Sequence, residues 1–321
     1  LNETRLPELK DVMMARRTIS RYLKPTPLIY SKLLSRTLGC DAYVKLENLQ
    51  PTMAFKVRGG VYYMSEMKEE ALRRGVITAS TGNHAQSVAY AGALFGVSVK
   101  IVMPKGVPQL KVDATKNLGA EVIIHGAYYD EANDYAQKLS AEKGYLYIHG
   151  INEVLLYPGV ATMHLEVIED LPDVDVVFNP IGGGSGVSGA CIVYKTINPA
   201  IKVIGVQAAG APAFYESWKS GSPKATQGVN TQAEGLATGR GYELPLSILR
   251  GKLDDVVLVE DNEMLQAVNL LFNTTRQIAE LAGAASTAAA VKIKEQLAGK
   301  KVVLMLTGGN ISAQTLSRVL Q

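Results

Sequence analysis

The chain of 321 residues is short of several things, and each shortage excludes something. It has two cysteines, Cys40 and Cys191, far apart in sequence. That excludes a disulfide framework and fits a reducing, cytoplasmic compartment. Its four histidines, His84, His125, His149 and His164, show no ligand spacing, so no metal site is expected. Neither sign of charge dominates, with Lys+Arg 33 against Asp+Glu 30 and no basic run, so nothing points to nucleic acid. No apolar run is long enough to span a bilayer, since the longest are broken by Lys100 and Glu280. The opening Leu1-Asn2-Glu3-Thr4-Arg5 has neither an apolar core nor a cleavage pattern, which argues against a secretory signal. The missing initiator methionine suggests that the numbering starts inside a longer chain. What remains is 47% hydrophobic and 20% charged, a globular profile with enough length for two domains and an ample core.

The pattern along the chain is alternating. Helices are expected over 9–23, 31–38, 56–74, 83–95, 109–118, 128–143, 155–170, 187–196, 261–279 and 284–297. Strands are expected over 42–47, 76–79, 97–103, 121–124, 145–148, 174–178, 202–207, 255–259 and 302–306. Gly39, Gly75, Gly96, Gly119 and Gly144 punctuate the helix ends. Strands alternating with helices at this spacing predict an α/β fold of two domains, each a mostly parallel sheet flanked by helices. Residues 51–148 form the smaller domain, and 1–50 with 149–321 the larger. The stretch 208–241, rich in Gly, Ser, Thr and Ala, reads as a long irregular loop of functional kind.

Four segments carry the chemistry. Pro51-Thr52-Met53-Ala54-Phe55-Lys56-Val57-Arg58-Gly59-Gly60 sets Lys56 among small and apolar residues, with Arg58 as its one charged companion. A desolvated lysine there has a lowered pKa and a nucleophilic amine; a solvated amine on a helix surface is the plainer alternative. Gly182, Gly183, Gly184, Ser185 and Gly186 run from a strand into a helix, where backbone N–H groups cradle a phosphate. Gly184-Ser185-Gly186-Val187-Ser188-Gly189 also fits G-x-G-x-x-G, so an NAD-dependent oxidoreductase is a competing reading. That reading needs an acidic residue at the end of the next strand, where Gln207 stands. Ser80, Thr81, Gly82, Asn83 and His84 bring hydroxyls, an amide and a helix N-terminus together, which suits a carboxylate or is an ordinary cap. Thr307-Gly308-Gly309-Asn310 is a further strand end opening towards a helix.

Taken together, these segments resemble the fold-type II pyridoxal 5'-phosphate (PLP) enzymes, which have the tryptophan synthase β-like fold. Within that family they are most similar to the threonine/serine dehydratase and serine racemase branch. Ala54-Phe55-Lys56-Val57-Arg58-Gly59 resembles S-F-K-x-R-G, and Ser80 to His84 resembles S-x-G-N-H. Gly182 to Gly186 resembles the phosphate loop, and Thr307 to Asn310 resembles S/T-G-G-N. The resemblance implies PLP bound as a Schiff base on Lys56, with Phe55, Asn83, Gly182, Gly183, Gly184, Ser185, Gly186, Glu280 and Thr307 around it. It implies substrate binding by Ser80, Thr81, Gly82, Asn83 and His84, and it places Glu234 and Gly235 near the ring. Lys56 is then the catalytic base. Thr81 is a candidate acid/base on the opposite face. The implied activity is α,β-elimination from L-threonine or L-serine, giving 2-oxobutanoate or pyruvate and ammonia. Serine racemisation and hydroxyaspartate lysis are alternatives on the same fold. A small amino-acid substrate and a homo-oligomer are expected. Two departures stand out. Ala54 replaces the usual serine, and Gln207 and Ala213 replace the carboxylates of the branch's cation site. With the chain ending soon after Asn310, no C-terminal regulatory domain is expected.

Overall fold

The computed structural model describes residues 5–321, so most of the opening segment read for a signal lies outside the described residues. In chain order the elements begin α1 (Leu9–Ile19), β1 (Leu28–Tyr30), α2 (Lys32–Leu38), β2 (Asp41–Leu46), α3 (Lys56–Glu66) and α4 (Lys68–Arg74). They continue β3 (Val76–Ala79), α5 (Asn83–Phe95), β4 (Val99–Met103), α6 (Gln109–Asn117), β5 (Glu121–Ile124), α7 (Tyr129–Lys143) and β6 (Leu146–Tyr147). Next come α8 (Leu156–Asp170), β7 (Val176–Pro180), α9 (Ser185–Ile197), β8 (Lys202–Ala208), α10 (Ala213–Ser220) and α11 (Glu243–Leu249). The chain closes with β9 (Asp255–Val259), α12 (Asp261–Thr275), α13 (Leu281–Lys292), β10 (Lys301–Leu306) and α14 (Ala313–Leu320).

Two sheets result. One has six strands in the order β1-β2-β10-β7-β8-β9, parallel except for β1 against β2. The other has four parallel strands, β5-β4-β3-β6. In the larger sheet β7, β8 and β9 progress one way, while β10 returns to lie between β2 and β7. The strand order therefore reverses beside the ends of β7 and β10, where ligands of open α/β sheets bind. Gly182 follows β7 and Thr307 follows β10. No helix of the described residues is long and apolar enough to cross a membrane.

The main hydrophobic cluster joins the two sheets. Val61, Val88 and Ile101 lie in it together with Val160, Val187 and Val203. Helix α3 runs through the middle because small residues let its neighbours close in. A Cβ on Gly60 would fall 2.3 Å from Ser87 Oγ of α5, and one on Gly159 of α8 would fall 2.5 Å from the Arg58 carbonyl. The first residue of this clamped helix is Lys56.

Several expected elements need correction. The helix expected over 56–74 is two helices, broken at Met67 (φ −100, ψ 11). The irregular stretch 208–241 contains α10 and a 3-10 turn at Glu234–Leu236, and α11 and α14 were not anticipated. Helix α12 stops at Thr275 because Arg276 takes a left-handed conformation (φ 58). Strand β7 runs two residues later than expected and α9 starts two residues earlier, so Ser185 and Gly186 belong to the first helical turn.

Candidate active site

The stretch before Lys56 is fixed by backbone pairing with the end of β10. Ala54 bridges Gly308, Phe55 N donates to Thr307 O at 3.0 Å, and Gly309 N donates to Met53 O at 2.9 Å. Ala54 is fully buried in this bridge, so its contribution here is packing and pairing. Lys56 Nζ donates to Ser185 Oγ at 3.0 Å, which brings the lysine to the head of the glycine turn. Burial lowers the Lys56 pKa to about 8.

Arg58 is not the electrostatic companion of Lys56 that its position suggests. Two residues on, it leaves the helix in another direction and enters a buried ion cluster. Its Nε and one terminal nitrogen bind Glu47 at 2.8 Å each, and both terminal nitrogens bind Glu166 at 2.8 Å. Lys45 Nζ donates to Glu166 at 2.6 Å and to the Thr26 carbonyl at 2.6 Å. Burial opposes the charge on Arg58, but Glu47 and Glu166 outweigh it and raise its pKa. Burial likewise works against the Glu166 carboxylate, and Arg58 and Lys45 overcome it, so the Glu166 pKa is lowered. Two positive and two negative side chains thus balance beneath α3. The sequence showed the individual charges but not that four distant ones converge.

The glycine turn is built to receive an anion. Gly184 has φ +97, a left-handed value that suits glycine, and a Cβ there would also meet Pro245 at 2.8 Å. A Cβ on Gly182 would stand 2.1 Å from the Gly235 carbonyl, and one on Gly183 would stand 2.3 Å from Ile151. Among the described residues the backbone N–H groups of Gly182 to Gly186 find no acceptor in the chain. Five free donors at the start of α9, with the helix dipole behind them, suit an anion such as a phosphate.

The second loop has the same logic. The N–H groups of Thr81, Asn83, His84 and Ala85 are unused at the start of α5. Ser80 Oγ accepts weakly from Gly82 N at 3.4 Å, and the Thr81 hydroxyl takes no partner among the described residues. Asn83 Nδ2 donates to Glu280 Oε1 at 2.7 Å, and Asn310 Nδ2 donates to Asn83 Oδ1 at 2.8 Å. Glu280 sits at the start of α13 against Gly308, and burial pushes its pKa up to about 7 against the opposing bond from Asn83. His84 is the exception in this loop. Its buried ring packs on Gly150, and its Nε2 lies 3.2 Å from Thr78 Oγ1, which donates its own proton to the Ile148 carbonyl at 2.6 Å. Burial holds the His84 pKa down at about 3, so the ring is neutral and serves the fold; only its backbone N–H faces the loop.

At the end of β10 the buried Thr307 has a hydroxyl without a hydrogen bond among the described residues. At the end of β8, Gln207 is buried, with Oε1 accepting from Tyr215 N at 2.9 Å and Nε2 unpartnered. No acidic residue stands there to hold a ribose. No group of His, Cys, Asp or Glu among the described residues could hold a metal ion. Glu234 pairs with Lys111 across the two sheets, and Gly235 abuts Gly182.

The family model described as "Pyridoxal-phosphate dependent enzyme" matches residues 19–308. The chain belongs to that family. An L-threonine ammonia-lyase of Thermotoga maritima is 38% identical over 312 residues, 97% of this chain and 78% of that protein. Among solved structures, the processed form of threonine deaminase isoform 2 from Solanum lycopersicum has a TM-score of 0.93 at 34% identity, covering 97% of this chain and 91% of that one. Maize serine racemase has a TM-score of 0.93 at 29% identity, covering 98% and 97%. The cofactor of this PLP-dependent enzyme is therefore pyridoxal phosphate, and the alternative of a dinucleotide cofactor falls. The residues present fit it: a desolvated amine without a carboxylate partner faces five unused N–H donors and an uncommitted threonine hydroxyl. Sequence reasoning had not picked out Asn310 as a site residue, although its motif was visible; its role lies in a contact to Asn83 made 227 residues away.

Proposed function

We propose that the chain is a PLP-dependent ammonia-lyase that removes the β-hydroxyl and the amino group of L-threonine or L-serine, giving 2-oxobutanoate or pyruvate and ammonia. The observation that carries this is the Lys56 amine, lowered to about pH 8 and 3.0 Å from Ser185 at the phosphate cradle. The named relative is an L-threonine ammonia-lyase, and this supports the same activity. When bound, PLP supplies an electron sink that weakens the Cα–H bond of the amino acid. Lys56 Nζ takes that proton, since near neutral pH a useful fraction of this amine is uncharged. The unused N–H groups of Thr81, Asn83, His84 and Ala85 orient the substrate carboxylate. Asn83, fixed from both sides by Glu280 and Asn310, would hold the cofactor ring through its remaining N–H. Thr307 would offer the cofactor ring a neutral hydroxyl partner, and Gly182 to Gly186 would hold its phosphate. Phe55 packs beside the lysine amine, 5.2 Å from ring centre to Nζ.

Thr81 supports a second reading, serine racemisation, because its hydroxyl takes no partner among the described residues in the loop just before α5. If Thr81→Ala leaves any measured racemisation unchanged, that role is excluded. We also assign residues 51–148 to a small domain and the remainder to a large cofactor-binding domain. Composition and family resemblance support a cytoplasmic homo-oligomer acting on small amino acids. The deciding experiment is absorbance of the PLP-loaded protein with a coupled 2-oxo acid assay. An internal cofactor band that vanishes in Lys56→Ala, with 2-oxobutanoate formed from L-threonine, is the expected result. No band in excess PLP sinks the proposal.

A further inference from the structure

His164 stands on α8, is fully buried, and reaches the glycine turn from within the protein. Its Nε2 lies 3.0 Å from the Gly186 carbonyl oxygen, and its Nδ1 lies 3.2 Å from the Tyr194 hydroxyl. Tyr194 is buried as well, and its ring meets the imidazole edge-on with centroids 5.3 Å apart. One side chain of α8 therefore grips α9 at its first turn and again about two turns further on. The helices lie close enough for this because Gly189 faces α8: a Cβ there would fall 2.8 Å from Ala161 Cα.

Chemistry fixes the direction of these bonds. A carbonyl oxygen only accepts, so Nε2 carries the proton and donates to Gly186. Burial holds the His164 pKa down at about 3 against the bond to Gly186, and the charges of Arg58 and Lys45 act in the same direction as burial, so the ring is neutral. Nδ1 is then an acceptor, and the Tyr194 hydroxyl donates to it. Burial pushes the Tyr194 pKa up, so that hydroxyl keeps its proton, and it has no other partner among the described residues.

The segment that His164 grips has little else to order it. Four of the five residues from Gly182 to Gly186 are glycines, which lose the most conformational freedom on folding. A side chain at 186 could not help, because its Cβ would fall 2.6 Å from Asn179 Nδ2. The N–H groups of Ser185, Gly186 and Val187 have no acceptor among the described residues. The Gly186 carbonyl and the Val187 N–H belong to one peptide group. A bond to that oxygen sets the plane of the peptide and the direction of its N–H, and polarises the N–H into a better donor.

We infer that His164, seated by Tyr194, is a positioning residue that holds the first turn of α9 in the form that receives a phosphate group. It touches neither cofactor nor substrate in this role and acts through the peptide between Gly186 and Val187. The inference rests on the proposal that Gly182 to Gly186 hold the cofactor phosphate.

The test compares PLP with pyridoxal, which lacks the phosphate but keeps the aldehyde that condenses with a lysine amine. Absorbance titrations of the full chain stripped of PLP give a dissociation constant for each, and their ratio is the preference for the phosphate. Phenylalanine at 164 keeps the shape of the ring but donates nothing, whereas glutamine offers an amide N–H in place of Nε2–H. The preference is expected to fall about threefold to tenfold in His164→Phe, the scale of one net hydrogen bond, and to recover in part in His164→Gln. A general loosening of the fold weakens both ligands together and leaves the ratio unchanged; that result overturns the inference. A measurement on wild type does not depend on the variants folding. Proton–nitrogen NMR of the PLP-free chain should show the His164 proton on Nε2 throughout about pH 5 to 8, and added inorganic phosphate should shift its resonance. A ring protonated at Nδ1, or a resonance that phosphate leaves in place, also overturns the inference. Gly184→Ala separates the two levels of the argument. An unchanged ratio in that variant strikes the phosphate assignment itself, while a fall there without one in His164→Phe strikes the positioning role alone.

Discussion

Replacing Glu166 tests whether the buried ion cluster is what holds α3, and with it Lys56, in place. The Glu166 carboxylate receives both terminal nitrogens of Arg58 at 2.8 Å and Lys45 at 2.6 Å, with Arg16 and the Thr26 N–H each at 3.2 Å. Arg58, Lys45, Glu47 and Glu166 are all almost fully buried. Glu166→Gln leaves two buried cations facing Glu47 alone. Removing one partner of a buried ion pair costs about 3–5 kcal/mol, chiefly from the charge left without its counterion. At about 2–3 °C per kcal/mol for a chain of this size, the Tm should fall by roughly 6–15 °C. Urea unfolding of the holoenzyme followed by circular dichroism measures the loss. The sign with pH is set by the lowered Glu166 pKa. The wild-type advantage is full above the ordinary carboxylate range and closes as pH falls below it. A double variant, Lys45→Met with Glu166→Gln, restores the charge balance and should be less destabilised than the sum of the single changes. A loss under about 1 kcal/mol in Glu166→Gln, or strict additivity in the pair, would refute the argument, because an exposed pair behaves that way.

Other expectations follow from the site. In PLP-free protein, acetic anhydride should modify Lys56 with half-maximal reactivity near pH 8, well below surface lysines; quantitative peptide mass spectrometry reads this, and a midpoint near 10 contradicts the desolvation. Gly184→Ala must adopt a left-handed φ at a cost of about 1–2 kcal/mol and push on Pro245, so PLP affinity in a fluorescence titration should weaken at least about tenfold. Glu280 has a pKa raised to about 7, so its charge costs stability increasingly as pH rises from the normal carboxylate range through 7. Glu280→Gln keeps an acceptor for Asn83, and its stability relative to wild type should improve across that window; a flat difference in pH-dependent urea unfolding would show that Glu280 does not titrate there.

Much of this architecture is legible in sequence because it is local. Ser31 caps α2, accepting from Leu34 N, and left-handed Gly39, Gly96 and Gly144 close their helices where expected. The turn at Gly182 and the loop at Asn83 were recognisable because several special residues stand together. What could not be read depends on contacts between distant residues. Arg58 seemed a neighbour of Lys56, but α3 sends the two side chains to different partners. His84 sat in a binding motif, yet its ring is committed to Thr78. Helix α10 hid inside the stretch 208–241 and α11 lies just beyond it; neither shows a long apolar period, and packing of Phe214 and Leu246 into the core fixes them.

The pairing of Phe55 with Thr307 also has a consequence in time. The residue before Lys56 is held by a carbonyl synthesised about 250 residues later. At ribosomal rates of about 5–20 residues per second, Lys56 emerges roughly 13–50 s before the strand that anchors it exists. During that interval the nascent chain carries the amine but not the site. A chain stalled before residue 307 would therefore carry Lys56 while Phe55 lacks the carbonyl that anchors it.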